Sequence, residues 1–230
     1  MNPEERIIVA LDVPKLAAGL ALADRLKGAV GCFKVGLELF TAGGPDAVRW
    51  VKARGRVFLD LKLHDIPETV GRATAAAASL GVDLITVHSG GGRAMLARAA
   101  KEAHDGGARV IAVTALTSLD ERDLEEVRIQ GPLVDLVIAR AKLAQDAGCD
   151  GVVASPREAA AIRAACGPGF LIVTPGVRPA GAAVGDQKRV ATPRSAVEAG
   201  ADYIVVGRPI TGAPDVRAAA QSIAEELAGA

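Results

Sequence analysis

The chain of 230 residues has few cysteines, no excess of charge of either sign and no long apolar run. Lys and Arg together number 27, Asp and Glu also number 27, and the formal net charge is zero at pH 7. This balance argues against nucleic acid or an anionic membrane as the main partner, because both favour a basic excess. The apolar runs fall short of the roughly 18 residues that a membrane span needs. We therefore expect neither nucleic-acid binding nor membrane insertion.

The three cysteines also exclude some classes of protein. Cys32, Cys149 and Cys166 are odd in number, far apart and without the spacing of metal ligands. Residues 1–6 are polar and acidic, whereas a secretory signal is basic and then apolar. We therefore expect a cytoplasmic protein whose cysteines are reduced packing residues.

Half of the residues are apolar, which is enough for a substantial core, and short apolar runs alternate with helical patterns. The alternation repeats eight times at a spacing of about 28 residues, as expected for parallel strands joined by crossover helices. The predicted strands are 7–12, 32–36, 56–63, 84–88, 110–114, 151–155, 170–174 and 203–207. The predicted helices are 14–27, 37–54 with an interruption near 43–45, 67–80, 95–105, 133–147, one opening at Pro156, 192–199 and 214–227. Residues 117–131 are predicted to be a loop with a short helix.

This pattern predicts a (β/α)8 TIM barrel, with residues 1–230 forming a single domain. A doubly wound open sheet is the alternative, but no Gly-x-Gly-x-x-Gly follows the first predicted strand. A weak internal repeat supports the barrel, because Asp83, Asp150 and Asp202 each follow Gly-x and precede a strand. These positions lie at the amino ends of the strands, where such barrels keep features that stabilise the fold.

Residues 60–65 contain the most informative arrangement of charge. Alternation along a strand places Asp60 and Lys62 on one face, with Asp65 just beyond the strand end. Two carboxylates beside one ammonium keep it protonated and fixed in direction. Such a lysine is suited to donate a proton to a strongly basic carbon and is a poor nucleophile. The alternative is an ordinary ion pair at a strand end.

Polar side chains lie at or just after the carboxyl ends of nearly all the predicted strands, where (β/α)8 barrels build active sites. They are Asp12, Lys34, Asp60, Lys62, His88, Thr114, Thr117, Ser155, Arg178 and Arg208. Several have simpler explanations. Lys34 could extend from the barrel into solvent, and Ser155 could only cap a helix. His88 is better explained as a structural hydrogen-bonding residue, and Thr114 as part of the core.

Gly207 and Arg208 end the eighth predicted strand. A glycine there lets a ligand approach the backbone, Arg208 adds a forked cation, and this part of the fold commonly binds phosphate. Arg178 and Gln187 lie in a long predicted loop, residues 175–191, that could close over the same anion. The alternative is a strand-ending glycine followed by a solvated arginine.

Several segments, taken in order, resemble the orotidine 5′-phosphate decarboxylase family. They are residues 8–12, 34–36, 60–69, 174–178 with Gln187, and 206–210. The resemblance implies an eight-stranded barrel that forms a homodimer with its active sites at the interface. It also implies decarboxylation of orotidine 5′-phosphate to uridine 5′-phosphate, the last step of pyrimidine nucleotide synthesis, without metal or organic cofactor.

The resemblance also implies a role for each matching residue. Lys62 should protonate C6 of the pyrimidine, and Lys34, Asp60 and Asp65 should complete the charged array. Asp65 and Thr69 should reach in from the partner subunit. The substrate should be held by Asp12 and Lys34 at the ribose, by Thr117 in the nucleotide site, by Ser155 at the base, and by Gln187, Gly207 and Arg208, with Arg178 alongside, at the phosphate.

Two other functions remain open from the sequence. The first is that of 3-keto-L-gulonate 6-phosphate decarboxylase and hexulose-6-phosphate synthase, magnesium enzymes that share the D-x-K-x-x-D strand. Those enzymes are expected to carry a metal-assisting glutamate in the second strand, where this chain has Lys34. The second is an inactive barrel that only binds nucleotide phosphates. A metal requirement would identify the first function, and product binding without turnover would identify the second.

Overall fold

The computed structural model describes residues 1–179 and 191–229. Within these ranges eight parallel strands form a closed barrel, in which each strand pairs with the next and the eighth pairs with the first. The strands are β1 (Ile7–Ala10), β2 (Cys32–Gly36), β3 (Val57–Leu63), β4 (Leu84–His88), β5 (Arg109–Val113), β6 (Gly151–Val153), β7 (Leu171–Thr174) and β8 (Tyr203–Val206). The predicted (β/α)8 barrel is confirmed, and the open sheet is wrong because the pairing of β1 with β8 closes the ring.

Helices surround the barrel, and their bounds lie within a few residues of the predicted ones. They are α1 (Leu16–Leu26), α2 (Leu37–Lys52), α3 (Pro67–Ala78), α4 (Gly92–Asp105), α5 (Glu121–Glu126), α6 (Leu133–Asp146), α7 (Ala159–Cys166), α8 (Pro193–Glu198), α9 (Arg208–Thr211) and α10 (Val216–Ala228). The expected break in α2 falls at Gly44, where φ is +57°. The one-turn helix α9 was not predicted. None of the helices in the described ranges is long and apolar enough to cross a membrane.

The barrel has two apolar layers. Along β1, Ile7 and Val9 pack in the larger layer between strands and helices, whereas Ile8 and Ala10 belong to a second cluster. This separation follows from the alternation of side chains along a strand, which places the second cluster inside the barrel. Its members are Ile8, Ala10, Cys32, Phe58, Leu84, Ile111, Val173, Tyr203 and Val205. A filled interior leaves the carboxyl end of the barrel as the place for a cavity.

The repeated aspartates tie neighbouring strands together at the amino end. Each accepts a 2.8 Å hydrogen bond from a backbone N–H near the start of the preceding strand. Each also contacts a basic side chain on the helix before that strand. The sets are Asp83 with Val57 and Lys52, Asp150 with Val110 and His104, and Asp202 with Ile172 and Arg163. The repeat therefore joins two strands and one helix at three places.

Candidate active site

A cavity of about 430 Å³ opens at the carboxyl end of the barrel. This volume lies within the range of roughly 300–1,000 Å³ that is usual for small-molecule sites. Its apolar lining includes Ala10, Phe58, Val153 and Val205, which also line the barrel interior. The remaining lining residues are Asp12, Lys34, Asp60, Lys62, Thr117, Pro175, Gly176, Arg178, Gly207, Arg208 and Thr211. The structure thus gathers residues from many strands around one space.

One wall of the cavity carries four charges in alternating order, Asp12, Lys34, Asp60 and Lys62. Lys34 Nζ lies 2.9 Å from Asp12 Oδ1 and 3.5 Å from Asp60 Oδ2. Lys62 Nζ donates to Asp60 Oδ1 across 2.8 Å. Lys34 does not extend into solvent, since its side chain is only 10% exposed. Each ammonium therefore contacts at least one carboxylate, and Asp60 contacts both ammonium groups.

Asp60 is ionised in this environment. Burial alone raises the pKa of its carboxyl group, but the ammonium groups of Lys34 and Lys62, together with hydrogen bonds from Lys62 and Thr86, outweigh burial and lower the pKa below its usual value. A cation at close range favours the charged form of a carboxyl group. The wall therefore offers a fixed negative charge beside two cations.

The backbone around Lys62 differs from the regular strand that the sequence analysis assumed. Lys62 has φ +52°, and the pairing of β3 with β4 shifts between Leu59 and Leu63. Left-handed φ is uncommon for a residue other than glycine, and bulges often redirect a side chain beside an active site. Simple alternation was therefore the wrong reason for expecting Asp60 and Lys62 together, although their side chains do meet.

Gly36, at the end of β2, makes room for the ion pair of Asp12 and Lys34. A Cβ atom at this position would lie 2.7 Å from both Asp12 Oδ1 and Lys34 Nζ. Such distances are too short for nonbonded atoms, so any side chain at residue 36 would displace the two charged groups. A glycine that ends a strand has many explanations, so the sequence alone does not reveal this contact.

Asp65 and Thr69 do not line the cavity of their own chain. Both are exposed, and Asp65 Oδ1 accepts a hydrogen bond from the adjacent Ile66 N–H. Within the described residues no ion pair joins Asp65 to Lys62, which contacts Asp60 instead. A single chain therefore supplies one of the two carboxylates that the sequence analysis expected around the Lys62 ammonium.

The part of the cavity that follows β7 and β8 carries glycines and guanidinium groups. Gly207 precedes α9 and lines the cavity with Arg208 and Arg178. A Cβ atom at Gly207 would make only an ordinary 3.6 Å contact with Ala10. Packing within the described chain therefore does not require glycine here. The Arg178 N–H donates to the Ala191 carbonyl across 2.9 Å, which joins the two described ends of the seventh loop.

Three other candidates have structural partners. Ser155 is fully buried and caps the turn after β6, because its Oγ accepts from the Arg157 N–H and its own N–H donates to Glu158. Ser155 is not among the residues that line the cavity, so its contact with the base stays a prediction. Thr114 is in the core and donates to the Val153 carbonyl, as expected.

His88 likewise has the structural role that was favoured for it. Its Nδ1 accepts from the Gly90 N–H, and its ring stacks on that of His64 at a centroid distance of 5.1 Å. Burial lowers the pKa of His88, and the neighbouring His64 lowers it further. The residue is therefore held as a neutral acceptor.

Gln187 lies outside the described residues, as does most of the predicted lid. Among the residues that are described, no group of three or more His, Cys, Asp and Glu side chains is arranged to hold a metal ion. The main polar residue that the sequence analysis missed is Thr86. The only available signal was a single hydroxyl within the apolar run of β4.

Comparison with known proteins identifies a family that this sequence matches. Residues 5–223 match the family model described as "Orotidine 5′-phosphate decarboxylase / HUMPS family". Orotidine 5′-phosphate decarboxylase of Moorella thermoacetica is 58% identical, covering 99% of this chain and 94% of its own length. The enzyme of the same name from Geobacter sulfurreducens is 54% identical, covering 97% and 96%.

Solved structures are similar over the same length. The crystal structure of orotidine 5′-phosphate decarboxylase from Lactobacillus acidophilus has a TM-score of 0.85 and 38% identity, covering 96% of this chain and 98% of that chain. That of the Pyrococcus horikoshii enzyme has a TM-score of 0.81 and 29% identity, covering 97% and 100%. Sequence and fold thus agree from the first strand to the last.

Proposed function

This chain belongs to the orotidine 5′-phosphate decarboxylase / HUMPS family, and we propose that it converts orotidine 5′-phosphate to uridine 5′-phosphate in pyrimidine synthesis. The observation that carries the proposal is the alternating charged wall from Asp12 to Lys62, which faces a cavity that also contains Arg178 and Arg208. The named relatives support the same reaction.

Lys62 is proposed as the proton donor. When the bond between C6 and the carboxylate breaks, carbon dioxide leaves and the electron pair stays on C6 as a vinylic carbanion. No carbonyl group is placed to delocalise this charge as an enolate. The ammonium of Lys62, fixed 2.8 Å from Asp60, stabilises the carbanion electrostatically and then gives its proton to C6. The neutral amine regains a proton from solvent.

Asp60 is proposed to act on the ground state as well as on Lys62. It is 8% exposed and ionised, so a substrate carboxylate placed against it meets a fixed negative charge. Loss of carbon dioxide removes this repulsion, whereas the attraction between Lys62 and the developing carbanion grows. An interaction that improves toward the transition state raises the rate of the chemical step.

The other cavity residues are proposed to bind the nucleotide. Asp12 and Lys34 hold ribose hydroxyls, Thr117 lines the nucleotide site and Ser155 contacts the base. Gly207 and Arg208, with Arg178 alongside and Gln187 from the seventh loop, hold the phosphate, because backbone N–H groups and guanidinium forks suit a dianion. Binding energy from the phosphate, far from C6, can order the site for chemistry.

A second copy of the chain is proposed to complete each site. Asp65 and Thr69 are exposed near the Lys62 end of the cavity wall, and the adjacent Ile66 is 66% exposed. Leu37, which follows β2, is 56% exposed. A partner that covers these apolar side chains would receive Asp65 beside its own Lys62. We therefore propose a homodimer with shared active sites.

The 230 residues are proposed to form one domain, because the eight strands between Ile7 and Val206 close a single barrel. A cytoplasmic location is also proposed. All three cysteines are free thiols, and burial raises the pKa of Cys32 and Cys149 to about 12. Such thiols are unreactive packing groups, as the sequence analysis expected.

The direct test is the ultraviolet absorbance of orotidine 5′-phosphate after addition of the purified protein in excess EDTA. Rapid loss of the orotate absorbance is expected, since the proposed proton donor and the charged wall come from the chain itself. Binding of uridine 5′-phosphate without turnover would instead identify a nucleotide-binding barrel. Turnover of a sugar phosphate that depends on Mg²⁺ would identify the related magnesium enzymes and refute the proposal.

A further inference from the structure

Thr86 lies opposite the irregular part of β3. The pairing advances from Ile85 to Val87 on β4 while β3 advances from Leu59 to Leu63. Between these two pairs, one residue of β4 therefore lies opposite three residues of β3. Thr86 occupies the gap, and its side chain is fully buried. A buried hydroxyl among apolar strands is costly unless it is hydrogen-bonded.

The Thr86 hydroxyl forms hydrogen bonds with both Asp60 and Lys62. Its Oγ1 accepts a 2.8 Å hydrogen bond from the backbone N–H of Lys62. It also donates a 3.0 Å hydrogen bond to Asp60 Oδ1. This carboxylate oxygen is the one that accepts from Lys62 Nζ. One hydroxyl thus fixes the left-handed backbone of Lys62 and the carboxylate that orients its ammonium.

We propose that Thr86 is a positioning residue that sets the direction of the Lys62 ammonium through Asp60 and through the backbone of Lys62. The inference rests on the proposed function, because it assumes that Lys62 delivers a proton to C6. Thr86 does not line the cavity, so it acts without touching the nucleotide. The hydrogen bond from Thr86 is also one of the interactions that lower the pKa of Asp60.

Valine at residue 86 would keep the shape of threonine and remove both hydrogen bonds. The Lys62 N–H would then lack its acceptor in a partly buried position, and the Asp60 carboxylate would lose one of its donors. The left-handed φ of Lys62 would lose a restraint. Because a misplacement of about 1 Å can cost about 100-fold in rate, kcat should fall by about that factor. The affinity for uridine 5′-phosphate should stay within a few-fold.

The test compares Thr86→Val with Thr86→Ser, which keeps the hydroxyl and loses only the methyl group. We expect the serine variant to retain kcat within a few-fold even where it is less stable to urea. In a plot of kcat against pH, the loss of activity at low pH should begin at a higher pH in the valine variant. The reason is that Asp60 loses a hydrogen bond that lowers its pKa. The proposal would be overturned if Thr86→Val and Thr86→Ser both fold and have the same kcat and the same loss of activity at low pH.

If Thr86→Val does not fold, Thr86→Ala replaces it, since Ala and Ser differ only in the hydroxyl group. Crystal structures of the variants provide a measurement that does not depend on turnover. Lys62 Nζ should leave Asp60 Oδ1 when the hydroxyl is absent and stay when it is present. An undisturbed pair would refute the positioning role alone. A wild-type protein without decarboxylase activity would refute the proposed function, whatever the variant structures show.

Discussion

Lys62 Nζ lies 2.8 Å from Asp60 Oδ1 even though the backbone between the two residues leaves the regular strand conformation. Because Lys62 has a left-handed backbone conformation, its ammonium contacts the carboxylate of Asp60, two positions earlier in the chain. Asp60 is buried and ionised, and the hydrogen bond that it accepts fixes the direction of this ammonium. This is a property that a proton donor to carbon requires.

Lys62→Ala should lower kcat by at least about 10⁴-fold, because the variant lacks both the proposed proton donor and the cation proposed to stabilise the carbanion. The variant should still fold and bind uridine 5′-phosphate, since the residues proposed to bind the phosphate are unchanged. Turnover is measured by loss of orotate absorbance, and folding by circular dichroism. Lys101→Ala, on the exposed face of α4, is the matched control and should behave as wild type. Near wild-type turnover of Lys62→Ala would refute the proposed mechanism.

Most of the barrel could be predicted from the sequence because its signals are local. Apolar runs, helical periodicity and Gly-x-Asp caps predicted β2 and β4 with their bounds and closely approximated the other strands. The helix α9 was missed because one turn leaves no periodicity. The left-handed Lys62 was missed because its conformation depends on the pairing of β3 with β4 and on a hydrogen bond to Thr86.

The charged residues of the site are easier to predict from the sequence than the uncharged residues that position them. Asp12, Lys34 and Asp60 lie toward the carboxyl ends of predicted strands, so their convergence is expected from parallel topology alone. Gly36 and Thr86 support them through contacts between different strands, and nothing in their local sequence distinguishes them from ordinary strand residues. Such contacts become visible only when the barrel closes.

Mixing Lys62→Ala with Asp65→Ala should restore activity if Asp65 acts across a dimer interface. A hybrid dimer would hold one site with both residues intact, and an equal mixture of freely exchanging subunits would reach roughly a quarter of wild-type activity. The measurement is turnover after subunit exchange, with exchange followed by mass spectrometry. Mixing Lys62→Ala with Asp60→Ala is the control and should restore nothing, because those residues belong to one chain. Exchange without recovery would place Asp65 outside the shared site.

Gly36→Ala should reduce kcat/KM by roughly 10- to 100-fold, because the new methyl group displaces the ion pair of Asp12 and Lys34. Stability in urea should change by no more than about 1 kcal/mol, since the displaced atoms are the ends of flexible side chains. Gly169→Ala is the control, because a Cβ atom there meets nothing within 4 Å. Wild-type kcat/KM for Gly36→Ala would show that the ion pair tolerates the methyl group or does not contribute to catalysis.

His88 should make stability depend on pH in the weakly acidic range. Burial, and then His64, lowers the pKa of His88 below its usual 6.5, so the unfolded chain binds a proton more readily than the folded chain. The contribution of neutral His88 to the free energy of unfolding is fully present above pH 6.5 and is lost as the pH falls toward its lowered pKa. His88→Asn keeps an acceptor for the Gly90 N–H but does not titrate. Urea unfolding between pH 7.5 and 5 should therefore give a smaller loss of stability in the variant, and an equal loss in both proteins would exclude His88 as the cause.

The aspartate repeat at the amino end should stabilise the barrel without affecting catalysis. Asp202→Ala removes the acceptor of the Ile172 N–H and the partner of Arg163. The Ile172 N–H then lacks an acceptor and Arg163 keeps only its backbone carbonyl partners, which should lower the free energy of unfolding by about 2 kcal/mol. Asp105→Ala removes only an exposed ion pair with Lys101 and should unfold like wild type. Both variants should keep wild-type kcat, because the cavity lies at the other end of the strands. Urea denaturation and turnover test this together, and equal stability of the two variants would mean that the repeat does not hold the strands.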